Sequence, residues 1–319
     1  MTGTDLLELA ANLTGRSADD IAQQAGSMLG PSARQAGPWR STLNNDGSPL
    51  QLCIGLSVGA APVVRLLADP AAKTPDVRQR ERELGVAVHT LLEQQAPAMH
   101  PAVQGLIAGM LPADALARYA LPTGGAWLAA NLSGPGMALY VSTKWGDPAA
   151  RWRRAQQWLG SRIPNRLARY AQLVSAGIEG SSMANARAKL YWRLGGTTAL
   201  TDLGLSLAGT AEVRDFLGFV IGDRRIARHA VVGSIGMAFA GAGCDDAASD
   251  LKLDVCAHCV PRPLDEWQAI IDRCCRHYGL VPWRDGTGLG DHTELAFIGF
   301  GLDQGHRPRL NIYLKSISQ

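Results

Sequence analysis

Apolar and polar residues alternate in five pairs of short segments along the chain, and a turn or loop joins the two members of each pair. Alternation with a period of two is typical of strands with one buried face, so each pair predicts a β-hairpin. The pairs are PLQLCIGLS with VVRLLA, GAWLAANL with MALYVST, LVSAGIE with RAKLYWRL, HAVVGSIGMAFA with DLKLDVCAHC, and TELAFIGFGL with RLNIYLKS. The third hairpin is predicted with a short first strand.

The stretches between the hairpins carry helical periodicity instead. After the first hairpin, Thr74 is the predicted N-cap and Pro75 the first residue of an amphipathic helix. After the second hairpin, Asp147 and Pro148 are predicted to begin another helix, followed by a helix over IPNRLARYAQ (163–172). Helices are also expected at the N-terminus, over 201–226 and over PLDEWQAIIDRCCRHYG.

This order of elements predicts an α+β fold made of five αββα repeats. A parallel βαβ fold would place a helix after every strand, which the pattern does not do. Ten mostly antiparallel strands can close into one barrel, and a barrel of that size is too wide for side chains to fill. We therefore predict a ten-stranded antiparallel barrel with a central lumen, ringed by helices. No linker divides the chain, so residues 1–319 are predicted to form a single domain, with 1–46 as an N-terminal helical lead-in.

The second strand of every predicted hairpin carries polar side chains at alternate positions. On one isolated strand such a face would ordinarily be solvated. In a barrel ringed by helices the outer face has to be apolar, so the polar face is predicted to point into the lumen. The residues concerned are Arg65; Tyr140 and Ser142; Arg187, Lys189 and Tyr191; Lys252 and Asp254; and Arg309, Asn311, Tyr313 and Lys315.

A lumen lined by Arg, Lys and Tyr calls for an anionic, oxygen-rich guest, because buried cations without a counter-charge repel each other. Arg presents a fork of N–H donors to phosphate oxygens, Lys a point charge, and Tyr both a donor and a ring face. A diphosphate fits this set of groups. An aromatic ring beside the diphosphate could in addition stabilise a carbocation.

The order of several short motifs resembles the aromatic prenyltransferases of the αββα barrel type, in particular the bacterial indole and peptide branch similar to dimethylallyltryptophan synthases. The motifs are DGSPLQL followed by VVRLLADP, then RAKLYW, LKLDVC and RLNIYLKS, and the resemblance covers the chain from about residue 47 to its end. It implies that a prenyl group moves from an allylic isoprenyl diphosphate to an electron-rich aromatic acceptor. The acceptor would be an indole or Trp, or a phenol or Tyr, either free or within a peptide.

The resemblance also implies roles for individual residues. The diphosphate-binding positions of the family correspond to Arg65, Arg187, Lys189 and Lys252, with Arg309 as a further anion ligand, and the phenols that cover the allylic group correspond to Tyr140, Tyr191 and Tyr313.

Three positions depart from the family pattern. Ala138 replaces a Lys, Asp254 stands where many members have Tyr, and Gln51 occupies the position of the usual acceptor-binding Glu. A Gln can orient an acceptor but cannot act as a conventional general base, so Asp254 is the alternative source of a catalytic carboxylate.

The expected co-substrate is dimethylallyl, geranyl or farnesyl diphosphate, with no required cofactor and with Mg²⁺ left open as an auxiliary ion. The chain lacks an Asp-Asp-x-x-Asp motif, which argues against the all-helical isoprenyl synthases that hold magnesium with such carboxylates. The alternative function is a non-catalytic barrel that binds an isoprenoid, a phosphorylated ligand or a peptide.

Composition and charge narrow the function classes only modestly. The net charge of +3 over 319 residues is too small to predict nucleic-acid binding. No apolar run is long enough for a membrane span and the first residues do not form a secretory signal, so we expect a cytoplasmic protein. Cys256 and Cys259 form one C-x-x-C around His258. Without a second C-x-x-C we expect reduced thiols there and predict no metal site.

Overall fold

The computed structural model describes residues 4–34, 38–39, 41–74, 76–111, 125–143, 147–160, 163–194, 199–222, 230–239, 250–281, 292–303 and 305–317. Ten of its segments are β-strands. They are β1 (Leu50–Ser57), β2 (Val63–Ala68), β3 (Ala126–Asn131), β4 (Met137–Ser142), β5 (Ala171–Gly180), β6 (Arg187–Leu194), β7 (Val231–Ala238), β8 (Asp250–Cys256), β9 (Thr293–Asp303) and β10 (Pro308–Ser316).

The ten strands form one closed antiparallel barrel. Each strand pairs with its neighbours in the sequence, and β10 closes the ring by pairing with β1, where Cys53 lies opposite Tyr313. The predicted fold class and all five predicted hairpins are therefore confirmed. Closure leaves no unpaired sheet edge, and it gives every strand one face toward the lumen and one toward the outside.

The α-helices of the described residues cover the outer face of the barrel. They are α1 (Thr4–Thr14), α2 (Ala18–Leu29), α3 (Val77–Gln95), α4 (His100–Met110), α5 (Pro148–Leu159), α6 (Asn165–Tyr170), α7 (Ala211–Ile221) and α8 (Leu264–Tyr278). None of these helices is long and apolar enough to cross a membrane.

The main hydrophobic core lies between the helices and the outer face of the barrel. Leu190 and Trp192 of β6 point outward and are almost fully buried in this core, as predicted. Gly233 on β7 makes room for the Trp192 ring, because a Cβ atom there would overlap the indole. The apolar face of each strand thus packs against the helices, and the polar face lines the lumen.

The predicted start of α3 is wrong by a few residues. Asp76, not Thr74, is the N-cap, and its carboxylate accepts the backbone N–H of Gln79 at 2.7 Å. Thr74 is buried in the preceding turn, where its N–H donates to the Ala71 carbonyl, while Pro75 lies outside the described residues. The prediction for α5 is confirmed, because Asp147 caps the helix through the Ala150 N–H at 3.0 Å and Pro148 is its first residue.

Two further boundaries differ from the prediction. α6 ends at Tyr170, and the residues predicted to extend it begin β5, which is ten residues long and not short. Ala171 pairs with Leu194 on β6, and this pairing overrides the helical pattern. The boundary was mispredicted because no Gly or Pro separates helix from strand in the sequence. The stretch predicted as helical over 201–226 contains two short 3₁₀ segments and then α7, and residues 223–226 lie outside the described part.

Candidate active site

The lumen of the barrel contains two cavities that share a wall of side chains. One cavity, of about 150 Å³, is basic and lies among β1, β2, β4, β6, β8 and β10. The other, of about 200 Å³, is mainly apolar and lies toward the opposite end of the strands. Four residues line both cavities and separate them: Tyr140, Tyr191, Lys252 and Tyr313.

Four of the five predicted diphosphate ligands line the basic cavity. These are Arg65, Lys189, Lys252 and Arg309. They reach one place from four different strands because each occupies a lumen-facing position in the two-residue alternation of its strand. Asn311, Ser57 and Cys53 are also part of the lining.

The fifth predicted ligand, Arg187, lies outside this cavity. Its Nη2 atom is 2.9 Å from Asp250 Oδ2, and the side chain lines a separate pocket at the end of the barrel. Arg187 is in the lumen-facing row of β6, but it is the first residue of the strand, two residues before Lys189. The two carboxylate contacts of Asp250, to Arg187 and to Arg309 at 2.9 Å each, link this outer arginine to the cavity.

Carboxylates balance part of the charge in the lumen, a feature that was not predicted from the sequence. Glu179 on β5 lies 2.8 Å from Lys189 Nζ and 3.8 Å from Arg65 Nη1. Burial by itself would raise the pKa of Glu179, but Lys189 and Arg65 outweigh it and hold that pKa well below its ordinary value. Glu179 therefore remains charged and compensates part of the positive charge of Lys189 and Arg65.

Glu179 and Asp250 each join two cations, and a third carboxylate, Asp254, pairs with Lys252 Nζ at 2.7 Å. Glycines on adjacent strands make space for two of these groups, since a Cβ atom at Gly236 would overlap Asp250 and one at Gly299 would overlap Asp254. The same alternation that predicted Lys252 and Asp254 also covers Asp250 on β8. It covers Glu179 once first strands are included, so the signal was present in the sequence.

The shared wall is an aromatic and cationic layer. The rings of Tyr140 and Tyr191 meet edge to face at 5.6 Å, and Lys252 Nζ lies 5.1 Å from the Tyr313 ring centre. Lys252 also donates to Tyr313 Oη at 2.7 Å. Burial raises the pKa of all three tyrosines above the ordinary value, so they remain neutral phenols that can donate hydrogen bonds.

The apolar cavity contains both predicted catalytic residues, Gln51 and Asp254. Asp254 is the sole carboxylate among the described residues that line it. Trp127, Leu67 and Phe297 supply much of the apolar surface. Trp127 faces the lumen because position 127, which lies opposite Tyr140, is on the inward face of β3.

Gln51 is held by a neighbour outside the barrel strands. Its Nε2 donates to Asn44 Oδ1 at 2.8 Å, while Asn44 Nδ2 donates to the backbone carbonyls of Ser48 and Leu50 at 3.0 and 2.9 Å. Two carbonyl acceptors fix the Asn44 amide nitrogen, so its oxygen must face Gln51. Gln51 Oε1 is consequently the atom left to accept a hydrogen bond from a molecule in the cavity.

Two lumen-facing positions have surroundings that were not predicted. Lys315 is paired with Asp46 at 2.8 Å and with Glu294, and Glu294 lies opposite it because β9 and β10 change register between Tyr313 and Leu314. Arg193, which continues the alternation of β6 beyond Tyr191, lines the apolar cavity.

No protein-family model matches the chain, and a comparison with curated proteins finds no similar sequence. Solved structures with the same fold do exist. The 5-dimethylallyltryptophan synthase from Streptomyces coelicolor superposes with a TM-score of 0.79 at 21% identity, over 98% of this chain and 96% of that one. PriB in its binary complex with product diphosphate gives 0.78 at 19% identity, over 98% and 95%.

The 6-dimethylallyltryptophan synthase from Micromonospora olivasterospora, solved with DMASPP and Trp, gives a TM-score of 0.71 at 18% identity, over 97% and 94%. The chain therefore has the fold of these aromatic prenyltransferases along nearly its whole described length. Identities of this size establish the fold, and the chemistry has to be argued from the residues of the chain itself.

Proposed function

We propose that the protein, which shares the barrel of these prenyltransferases, transfers a prenyl group from an allylic diphosphate to an electron-rich aromatic acceptor. One observation carries the proposal. A basic cavity and an apolar cavity meet in one lumen at a wall made of Tyr140, Tyr191, Tyr313 and Lys252. A diphosphate in the first cavity and an aromatic ring in the second would meet at that wall.

In the proposed reaction the basic cavity binds the leaving group. Arg65, Lys189, Lys252 and Arg309 offer charge-assisted hydrogen bonds to the diphosphate oxygens, which gain negative charge as the allylic C–O bond breaks. The bonding electron pair leaves with the diphosphate, and the prenyl group becomes a carbocation. Carboxylates, among them Asp250 beside Arg309, hold these cations in place before the substrate enters, so little reorganisation accompanies ionisation.

The tyrosine wall protects the cation. Ring faces stabilise positive charge through their quadrupoles, and a layer of rings keeps water from the carbocation. Lys252 Nζ lies 5.7 Å from the ring centre of Tyr191 and 5.1 Å from that of Tyr313, and Asp254 at 2.7 Å balances its charge. The ion pair reduces the net positive charge beside the prenyl group, while Lys252 can still donate a hydrogen bond to the diphosphate.

The acceptor would enter the apolar cavity with its N–H or O–H toward Gln51 Oε1. A π electron pair of the ring forms the new bond to the prenyl carbon, and the ring then loses a proton. Gln51 orients the acceptor but does not take that proton. Asp254 is the candidate base, because it is the carboxylate in the described lining of this cavity.

Tryptophan or another indole is the first acceptor to test, because tryptophan is bound in the solved complexes of three proteins with this fold. A phenol such as tyrosine is the second, and each is offered free and within a short peptide. The experiment incubates the protein with dimethylallyl, geranyl or farnesyl diphosphate and each acceptor, and follows product mass and diphosphate release. A mass gain of one prenyl group on any acceptor supports the proposal.

The alternative is a barrel that binds an isoprenoid, a phosphorylated ligand or a peptide without reaction. Binding of the diphosphate with neither transfer nor diphosphate release would favour this alternative and contradict the proposed activity.

Variants at β6 test the diphosphate site apart from catalysis. Lys189→Ala removes a cavity cation and should weaken diphosphate binding by at least about tenfold, as expected for one charge-assisted hydrogen bond. Arg187→Ala changes a residue on the same strand face but outside the cavity, and should weaken binding less. Equal affinity of both variants and the wild type would refute the assignment of the basic cavity.

A further inference from the structure

The end of β8 brings two thiols and one imidazole together. Cys256 is the last residue of β8, and His258 and Cys259 lie in the single 3₁₀ turn that follows. Side chains three positions apart eclipse each other in such a turn, so Cys256 and Cys259 project from the same side of it. Both are free thiols, and their Sγ atoms lie within 4.8 Å of each other.

The imidazole of His258 contacts the two sulfurs through different nitrogens. Nδ1 is 2.9 Å from Cys256 Sγ, and Nε2 is 3.4 Å from Cys259 Sγ. A neutral imidazole has one bare nitrogen and one N–H. With the proton on Nε2, the ring accepts the S–H of Cys256 at Nδ1 and donates its N–H to the sulfur of Cys259. One ring thus takes a proton from the first sulfur and stabilises negative charge on the second.

The two thiols differ in their surroundings. Cys256 is 7% exposed, and burial together with the neighbouring Cys259 raises the pKa of its thiol to about 12. Cys259 is half-buried and reaches solvent. Because the thiolate and not the thiol is the nucleophile, Cys259 is the sulfur placed to attack a molecule from solvent. Cys256 is placed to react second, inside the protein.

We propose that Cys256 and Cys259 form a reactive dithiol that is oxidised by small disulfides such as oxidised glutathione. The Cys259 thiolate attacks one sulfur of the small disulfide, forms a mixed disulfide and expels one thiolate. Cys256 then attacks Cys259 Sγ while His258 Nδ1 takes its proton, and the second small thiolate leaves. Two protein thiols become one disulfide, and the small disulfide becomes two thiols that take up the two protons.

The dithiol is accessible from the outside. His258 is exposed, and it lines a cavity of about 350 Å³ together with Leu264 and Ile317, which are also exposed. This volume is within the range of pockets that hold small ligands. A small disulfide therefore has room beside the imidazole.

The dithiol also adjoins the acceptor end of the lumen. Cys256 is two residues from Asp254 on the same face of β8, and the charges of Asp254 and Arg193 both act on the pKa of its thiol. Asp254 and Arg193 line the apolar cavity. Oxidation at this turn would therefore alter the end of the strand that carries the candidate base.

The test treats the reduced protein with oxidised glutathione, alkylates the remaining thiols and digests the protein with trypsin. The peptide that begins at Leu253 contains Cys256 and Cys259 and no other cysteine. We expect this peptide to lose two hydrogen atoms, as measured by mass spectrometry, and to regain them with a dithiol reductant. This result does not depend on prenyl transfer, so it stands or falls apart from the proposed function.

Variants separate the roles of the three residues. Cys259→Ser should react with glutathione more slowly than the wild type by about tenfold or more, because the remaining thiol is buried. Cys256→Ser should stop at the mixed disulfide and retain one glutathione on Cys259. His258→Asn should slow the second step by about tenfold or more, so that the mixed disulfide accumulates.

The matched control is Cys274→Ala, which removes a fully buried thiol on α8 and should react like the wild type. Absence of the disulfide in the wild-type peptide would overturn the proposal, and so would a Cys259→Ser variant that reacts at the wild-type rate. A His258→Asn variant that closes the disulfide as fast as the wild type would refute the role of the imidazole. Circular dichroism checks the folding of each variant. If Cys256→Ser does not fold, Cys259→Ser and His258→Asn decide the outcome, since both change residues that reach solvent.

Discussion

Asn44 fixes the orientation of Gln51 across seven residues of chain, by accepting the Gln51 amide N–H at 2.8 Å. Asn44 can present only its oxygen, because its nitrogen donates to two backbone carbonyls. Position 51 therefore offers a neutral acceptor, Oε1, to the apolar cavity. The group that orients an acceptor molecule is in this way separated from the group that could remove its proton.

We predict that Gln51→Glu changes the pH dependence of transfer. The introduced carboxyl group would be buried and would face the Asn44 oxygen, so its pKa should lie above the ordinary value and its O–H should donate to Asn44 at low pH. At low pH the variant should resemble the wild type. As the pH rises and the introduced carboxyl group ionises, kcat should increase by roughly tenfold, since a charged acceptor stabilises the positive acceptor ring by about 1.4 kcal/mol more.

The measurement is kcat against pH for both proteins with one acceptor. Asn44→Ala in the Gln51→Glu background should move the rise to lower pH, because it removes the opposing oxygen. A variant whose profile parallels the wild type at all pH values would show that position 51 does not face the acceptor.

We predict that Glu179→Gln makes stability depend on the diphosphate. Loss of the carboxylate leaves Lys189 and Arg65 without this counter-charge in the lumen, which should cost about 3–5 kcal/mol of unfolding free energy. An added diphosphate replaces that negative charge, so it should raise the melting temperature of the variant more than that of the wild type. Thermal unfolding with and without inorganic diphosphate measures this difference.

Glu93→Gln is the matched control, because Glu93 is an exposed carboxylate paired only with His100 in the contacts of the described residues. Its response to diphosphate should equal that of the wild type. The pKa of Glu179 is depressed in the folded protein, so the stability it contributes is present at neutral pH and is lost as the pH falls. Equal diphosphate effects in all three proteins would contradict the role given to Glu179.

We predict that Tyr191→Ala uncouples ionisation from transfer. Removing this ring opens the wall between the two cavities, so water can reach the carbocation and form the prenyl alcohol. The ratio of hydrolysis to transfer should rise by about tenfold or more, as measured by chromatography of both products. Tyr191→Phe keeps the ring and should keep the ratio close to that of the wild type, and the same ratio in both variants would exclude a shielding role.

We predict that Asp69 makes the fold less stable as the pH rises. Asp69 is fully buried and accepts from Ser41 Oγ at 2.7 Å and from the Thr42 N–H at 3.2 Å. Burial raises its pKa from 3.8 to about 6. The folded state therefore holds a proton that the unfolded chain releases, so the unfolding free energy should fall as the pH rises from about 4 to 7, by roughly 3 kcal/mol.

Asp69→Asn should flatten this dependence, since the amide does not titrate. Urea unfolding at several pH values measures the slope for each protein. A wild-type slope of the opposite sign in this pH range would contradict the assignment.

The alternation of residues predicted the lumen-facing rows but not the contacts within them. Lys189 and Tyr191 could be placed by counting, because side chains on a strand change sides at every residue. The pairing of Arg309 with Asp250, 59 positions apart, depends on the order and register of β8, β9 and β10. Nothing local in either strand specifies it.

The same limit explains the residues that were missed. Glu179 lies on the first strand of its hairpin, whereas the predicted lumen residues were taken from second strands. Asn44 has no periodic signal, since it lies in a loop. Its side chain is oriented by two backbone carbonyls, which the residue pattern does not reveal. The register change between β9 and β10, which places Glu294 opposite Lys315, likewise has no marker in the residue pattern.

The sequence by itself determined the barrel, the order of its hairpins and the polar character of its lumen, because these follow from periodicity within each segment. Only the tertiary structure decided that the lumen has two cavities, that Arg187 lies outside them and that carboxylates balance the cations. Those features depend on contacts between side chains from strands far apart in the sequence, and these side chains come close to one another only when the ring of ten strands closes.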